Sequence, residues 1–532
     1  MPIDSRISQE ALSCIRINDE GNPGNRNCER NALMGPEADE FDLCIVGAGP
    51  GGFAGAMRAI DAGRKVCLIE GDEIGGTGVK WGALASKTMW ELAKDYAVAS
   101  KTDRGYRCSG LKVDYQAVRE TVIQAVKEKQ YQLLSQLSTF AQGRWNGPGS
   151  VTYLRGWAGF IDSGHVIVDL PGGGSKKIAA AHFLLCTGSK PRHFAHVPVD
   201  QERILDSDGV LGLRHFPKRL MIVGAGVTGC EYATIFSNFG QTQVLLVDHQ
   251  PKVIPYEDDD VSDFVSRNLE LKGVKIFHST HLREIVPKPN HLEVTLDFDD
   301  GHASVMEVET VLISIGREPN IGRLNLAAAG ITPDSGGYLD ADQDCRVRGT
   351  IYAAGDVTHR PALVNMAVME SRHAVKHMFN LPTLPLHFPN MSTVMFFYPA
   401  VAAVGLSEKE CRRNNIAYRV ASYANALLPR AIAMRAGSGF VKIIVSDDAT
   451  QKILGMRAAG PQVSNTIMSI ALLIDQEKNA LEVLRTMFPH PTMSEAIQEC
   501  LRMLVNKSIY KPEAFPDLLS IRRWRPETGF IR

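Results

Sequence analysis

The chain has 532 residues, with 58 Lys+Arg against 59 Asp+Glu and a formal net charge of -1. At roughly 150 residues per domain this is a multi-domain chain with a large core, and its balanced charge excludes an electrostatic case for nucleic acid or an anionic membrane as partner. No run reaches the ~18 apolar residues of a membrane span, and the ten cysteines lie singly, which gives no zinc spacing, no metal site and no disulfide framework.

Residues 1–39 mix Asp, Glu, Asn, Gly and Pro without an apolar h-region, and read as a polar leader rather than a secretory signal. Together with the scattered cysteines this points to the cytoplasm. FDLCIVGAGPGG then predicts a strand running into Gly47, Gly49 and Gly52. FAGAMRAIDAG predicts a helix closed by Gly63, and KVCLIE a second strand ending in Glu70. This is a βαβ unit: the glycines permit a tight turn and close approach of a pyrophosphate to the helix N-terminus, and the acid accepts from a ribose diol.

The pattern returns in RLMIVGAGVTGCEYATIFSNFGQTQVLLVD, with Gly224, Gly226 and Gly229 opening a helix, Gly240 closing it and Asp248 ending the next strand. Two fingerprints imply two dinucleotides. A carboxylate at 248 pairs with a free 2'-hydroxyl and repels a 2'-phosphate, which favours NADH over NADPH, although His249 and Lys252 soften the field. LLCTGSKPR and VLISIGREPN each predict a buried strand leaving on a glycine, Gly188 and Gly316. TIYAAGDV predicts a strand delivering Asp356 to its carboxyl end. An arginine-bearing C-terminus, residues 506–532, reads as a solvated or subunit-wrapping extension.

In this order the segments resemble the flavin-dependent pyridine nucleotide-disulfide oxidoreductases, above all the dihydrolipoamide dehydrogenases and soluble pyridine nucleotide transhydrogenases. The resemblance implies an α/β fold with two Rossmann-like dinucleotide-binding domains, for FAD and NAD(P), and a C-terminal α+β dimerisation domain. It places a first FAD part at 40–189, the NAD(P) domain at 190–315, a second FAD part at 316–385 and the interface domain at 386–505. It implies FAD and NAD(P)H as cofactors and a homodimer whose sites borrow residues across the interface. On the motifs quoted, Gly47, Gly49, Gly52, Glu70, Lys87 and Asp356 fall to the flavin, Gly224, Gly226, Gly229 and Asp248 to the nicotinamide nucleotide, and Gly76, Thr77, Gly188 and Gly316 are further cofactor-binding candidates.

The same resemblance gives roles to four further side chains. Lys87 lies where the family has a lysine beside the flavin ring, and Glu231 where a glutamate bridges to it. His490 and Glu495, in FPHPTMSEAIQEC, match an acid–base pair supplied across the dimer, with Ser494 a helix-cap candidate. GGTGVKWGALASK departs from the pattern: the dehydrogenases read Cys-x4-Cys-x-Pro-Ser-Lys after GGT, whereas here Gly78, Ala83 and Ala85 stand for the two cysteines and the proline. Electrons from NAD(P)H then pass through flavin to a small acceptor other than a disulfide, such as a quinone, and the small residues at 78 and 83 leave room for it. A soluble transhydrogenase and a catalytically retired flavin-binding subunit are the alternatives.

Overall fold

The computed structural model describes residues 38–531. Apart from its last two positions, the leader expected over 1–39 lies outside the described residues, and Asp39 already opens β1 (Asp39–Val46). β1 runs into the first glycine turn, α1 (Pro50–Asp61) follows, and β2 (Lys65–Glu70) closes the unit. α2 (Gly76–Lys80) holds GGTG, α3 (Ala83–Ala99) carries Lys87, and α4 (Tyr115–Thr139) leads to β3 (Ser150–Arg155) and β4 (Ser175–Leu185). The second unit comprises β5 (Ile204–Asp206), β6 (Arg219–Val223), α5 (Val227–Phe239), β7 (Gln243–Val247), α6 (Asp259–Leu271), β8 (Lys275–Phe277) and β9 (Thr310–Ile313). The chain then re-enters the first unit through β10 (Ile351–Ala353) and α7 (Val364–Met378).

The parallel part of the first sheet runs β10-β4-β1-β2-β3, and the second sheet runs β8-β7-β6-β9-β5, parallel throughout. Strands covered on both faces need apolar side chains on both, which is why LCIV and LMIV are unbroken apolar runs rather than alternating ones. The chain leaves the first unit through Ser189–Pro191 and returns through Arg317–Pro319, and these two crossings pair as an antiparallel ribbon. α5 is buried from Gly229 to Phe239 because α3 packs on one side and its own sheet on the other. That packing brings Lys87 of the first unit to Glu231 of the second.

The interface domain is a seven-stranded antiparallel sheet, in order β11 (Ser392–Met395), β12 (Val401–Gly405), β15 (Ile453–Ala459), β14 (Phe440–Ser446), β13 (Tyr418–Ala424), β16 (Leu519–Arg525) and β17 (Gly529–Ile531). α8 (Val463–Asp475) and α9 (Glu495–Leu504) cover it. The C-terminal arginines are therefore not a solvated tail. Arg523 and Arg525 both reach the buried Asp447 carboxylate, and Arg522 reaches Glu408 at 2.6 Å, so the strand is held by ion pairs as well as by its ladder.

The interface domain is fastened to the second unit by buried charge. Lys442 is 0% exposed, and its Nζ donates to Asp258 (2.9 Å), Asp260 (2.7 Å) and Glu408 (3.0 Å). Those three carboxylates are close enough to hold a cation, and the ammonium fills the position. Burial pushes the Asp258 carboxyl up, but Lys442 and two backbone N–H groups outweigh it and hold it below its usual range. Arg457 adds a second buried pair, to Glu257 at 2.8 Å.

Candidate active site

The two glycine turns solve one steric problem in the same way. Gly47 has φ +103°, and a Cβ there would lie 2.3 Å from the Cys186 carbonyl oxygen; a Cβ at Gly52 would lie 1.8 Å from the Gly47 carbonyl oxygen. In the second turn a Cβ at Gly224, φ +107°, would lie 2.4 Å from the Ser314 carbonyl oxygen, and one at Gly229 would lie 1.9 Å from that of Gly224. The outer glycines are thus explained by close backbone contact, the first with the end of the neighbouring strand and the last with the turn itself. The middle ones, Gly49 and Gly226, would meet nothing within 4 Å. Protein packing does not account for them, and the open backbone at each helix N-terminus fits a dinucleotide pyrophosphate.

The strand-end acids behave alike. Glu70 accepts from Ala48 N–H at 2.7 Å and Asp72 N–H at 2.9 Å, and burial nonetheless pushes its carboxyl up. Asp248 accepts from the N–H groups of Ala225 and of Gln250, the latter at 2.7 Å. Of its basic neighbours, His249 lies 3.3 Å away, while Lys252 is engaged by Asp263 and Asp259 on α6.

A cavity of about 1070 Å³ opens from the first turn toward α5. Gly47, Gly49, Glu70, Gly76, Thr77, Lys87, Gly188, Glu231 and Asp356 line it; Gly52, Gly224, Gly226, Gly229, Asp248 and Gly316 do not. Inside it, Lys87 Nζ donates to Glu231 Oε2 at 2.8 Å, and the other carboxylate oxygen accepts Phe396 N–H at 2.9 Å. Glu231 is 9% and Lys87 28% exposed, which separates this pair from a surface ion pair. Asp356 accepts from Ser189 Oγ at 2.6 Å.

Gly78 and Ala83 both line the cavity, but the expected room at 78 is partly taken. A Cβ at Gly78 would lie 2.6 Å from Pro50 Cγ and 3.3 Å from Val364 Cγ2. Cys186 also lines the cavity; its thiol is buried and pushed up to about 12 by that burial, so it carries no thiolate at neutral pH. Cys44 and Cys67 face one another across β1 and β2, fully buried and away from the cavity.

His490 and Glu495 meet as expected, Nδ1 to Oε1 at 2.8 Å, and the second Glu495 oxygen accepts Thr492 N–H at 2.9 Å. The pair is not brought to the cavity: the His490 side chain is 65% exposed. Ser494 stands at the N-cap of α9 but makes no side-chain cap bond, because its backbone is already helical.

Residues 41–371 match the model of the pyridine nucleotide-disulphide oxidoreductase family, and residues 391–501 match its dimerisation domain. The chain belongs to that family. It is an oxidoreductase family of flavoenzymes, dependent on FAD and NAD(P). The chain is 30% identical over 478 residues to the dihydrolipoyl dehydrogenase of Chlamydia pneumoniae, covering 89% of this chain and 99% of that one. It is 28% identical over 481 residues to the dihydrolipoyl dehydrogenase of Bacillus subtilis, covering 90% and 99%. Among solved structures, LpdA from Mycobacterium tuberculosis superposes with a TM-score of 0.79 at 26% identity, over 88% of this chain and all of that one. The flavoprotein disulfide reductase RclA from Escherichia coli, solved as a Cu(II) complex, shares the fold with a TM-score of 0.77 at 23% identity, over 88% and 100%. No helix among the described residues is long and apolar enough to cross a membrane.

Reading the sequence missed three contributors. Ser189 and Arg317 sit in segments singled out only for their glycines, and Arg317 donates to Ser189. Glu370, fully buried on α7, accepts Gly355 N–H at 2.7 Å and so fixes the turn before Asp356.

Proposed function

We propose that this chain is an FAD-dependent oxidoreductase that takes electrons from NADH and delivers them to a small acceptor other than a disulfide, such as a quinone. The observation that carries the reading is the cavity wall at GGTG: Gly78 and Ala83 replace the thiols, and the lining cysteine, Cys186, is a buried neutral thiol. FAD, which the first glycine turn, Glu70 and Asp356 would hold, would supply two-electron chemistry between a nicotinamide and the acceptor. The chain's residues prepare that exchange. Gly49 and Gly226 leave their N–H turns open to pyrophosphates, and Asp248 favours a coenzyme with a free 2'-hydroxyl. Glu231 fixes the Lys87 ammonium in the cavity, where it stabilises negative charge as it develops.

The dimerisation domain supports a homodimer. In it a second copy brings its own His490–Glu495 pair to the acceptor side, the carboxylate orienting the imidazole and the imidazole supplying a proton. A reductive titration with NADH and an acceptor screen with quinones, ferricyanide, thio-NAD and lipoamide test the whole. NADH should bleach the yellow protein without a long-wavelength thiolate charge-transfer band, and a quinone should be turned over. Lipoamide turnover or a thiolate band overturns the reading. Transfer to thio-NAD replaces it with transhydrogenase, and absence of bleaching with a retired flavin-binding subunit.

A further inference from the structure

Arg317 occupies the joint where the chain re-enters the first unit, opposite Pro191 in the two-stranded ribbon. Its guanidinium closes on Ser189 as a fork, with Nε to Ser189 Oγ at 2.7 Å and Nη2 to the Ser189 carbonyl at 2.7 Å. The remaining reach of the group is spread over both units: Nη2 lies 3.4 Å from Thr77 Oγ1, and Nη1 lies 3.5 Å from Ser207 Oγ and 3.8 Å from Asp208. A serine hydroxyl has one proton. With Arg317 Nε donating into Ser189 Oγ, that proton must point away from Arg317, and Asp356 Oδ2 is there to accept it at 2.6 Å.

We infer that Arg317 is a positioning residue that, through Ser189, aims and polarises a hydrogen bond onto Asp356 and so holds that carboxylate ready for the flavin. The inference rests on the proposed FAD site. A charged donor at the head of the chain strengthens the second bond, because each link polarises the next. A neutral serine alone could rotate its proton to the Arg317 side or to solvent; the guanidinium, which has only donors, forbids the first choice. Arginine suits the post because its planar fork grips the Ser189 hydroxyl and carbonyl together, which an ammonium does not do.

The experiment is a double-mutant cycle on FAD affinity, read by fluorescence titration of FAD into protein stripped of it, for the wild type, Arg317→Met, Ser189→Ala and the pair. The relay predicts that each single change weakens FAD about ten-fold, and that the double variant is little worse than either, since both break one chain of bonds. Arg317→Lys should recover only part of the loss. Multiplying losses overturn the relay, as does an Arg317→Met variant that melts earlier while its folded fraction binds FAD normally. If the wild-type protein takes up no FAD, the proposed function fails rather than the relay. If it binds FAD and the losses multiply, the relay alone fails. Should Arg317→Met not fold, Ser189→Ala against Arg317→Lys supplies the same cycle.

Discussion

Lys87 and Glu231 stand 144 residues apart and meet inside the cavity; His490 and Glu495 stand five apart and meet in solvent. The two pairs have the same bond length, 2.8 Å, and opposite situations. The first is assembled by tertiary packing of α3 on α5, is shielded from water and gains an extra donor from Phe396. The second is assembled locally, by an extended His-Pro segment turning into α9, and its imidazole has no wall around it. One chain therefore completes the charge site and leaves the proton site open. On the proposed chemistry, the hydride end would be built within a subunit and the proton end would wait for a second copy.

The largest expected effect comes from breaking the internal pair. Lys87→Met removes the cation and leaves the Glu231 carboxylate buried with Phe396 N–H as its remaining partner. NADH-dependent bleaching, followed by stopped flow, should slow by about 10²–10³-fold. Glu231→Gln keeps the shape and loses the charge, so it should cost less. Equal rates for Lys87→Met and the wild type would reduce the pair to an interdomain brace.

Next comes the external pair. His490→Gln should leave bleaching by NADH unchanged and slow reoxidation by a quinone about 10²-fold, with little effect on ferricyanide, which takes electrons without protons. The comparison is sharpest when both lesions share one dimer. Co-purified hybrids of Lys87→Met with His490→Gln hold one site with both lesions and one with neither, if the imidazole acts across the interface. Such hybrids should recover about half of wild-type quinone turnover, whereas hybrids of a pair acting within one chain recover none. Sedimentation must first show that each variant remains a dimer.

A smaller effect is expected at the coenzyme end, which one chain also completes. Asp248 accepts one backbone N–H on each oxygen and keeps acceptor capacity for a ribose hydroxyl, and with Lys252 tied to α6 the carboxylate's repulsion of a 2'-phosphate is offset chiefly by His249. Asp248→Asn should raise NADPH use relative to NADH about ten-fold, roughly 1.4 kcal/mol, in the ratio of kcat/KM values. A wild-type preference for NADPH would overturn the argument and favour transhydrogenase.

Much of this was legible in the residues. The glycine turns and strand-end acids are local patterns of spacing, and local geometry preserves them. Lys87 with Glu231 was readable only through a family motif, since no rule of spacing joins positions so far apart. Asp356 was readable only through the family pattern, and its Ser189 partner comes from a segment 167 residues away. The C-terminal arginines misled for a related reason: LSIRRWR is charged when read alone, and only the pairing of β16 with β13 shows that buried Asp447 and Glu408 receive those charges. Lys442 was invisible likewise, a lysine in an apolar strand whose three carboxylates come from elsewhere in the chain.

The smallest effect is expected from an attempt to give the cavity back its thiols. If Gly78 and Ala83 were simply truncated cysteines, Gly78→Cys with Ala83→Cys would restore disulfide chemistry and make the His490–Glu495 pair useful to a dithiol again. The packing argues otherwise. Ala83 already carries a Cβ, but a Cβ at 78 would lie 2.6 Å from the Pro50 ring, at the first turn of α1, and 3.3 Å from Val364 on α7. A proline ring at a helix start has no rotamer to escape into, so the backbone of GGTG or of the first glycine turn must shift. The double variant should lose roughly 1–3 kcal/mol of stability, seen as a lower unfolding midpoint, with the Gly78 change carrying most of it. It should gain little lipoamide turnover, and NADH titration should raise no strong thiolate band. Efficient lipoamide reduction by that variant would mean that the neighbouring backbone yields easily, and that the lost thiols alone divide this chain from the dihydrolipoyl dehydrogenases it is similar to.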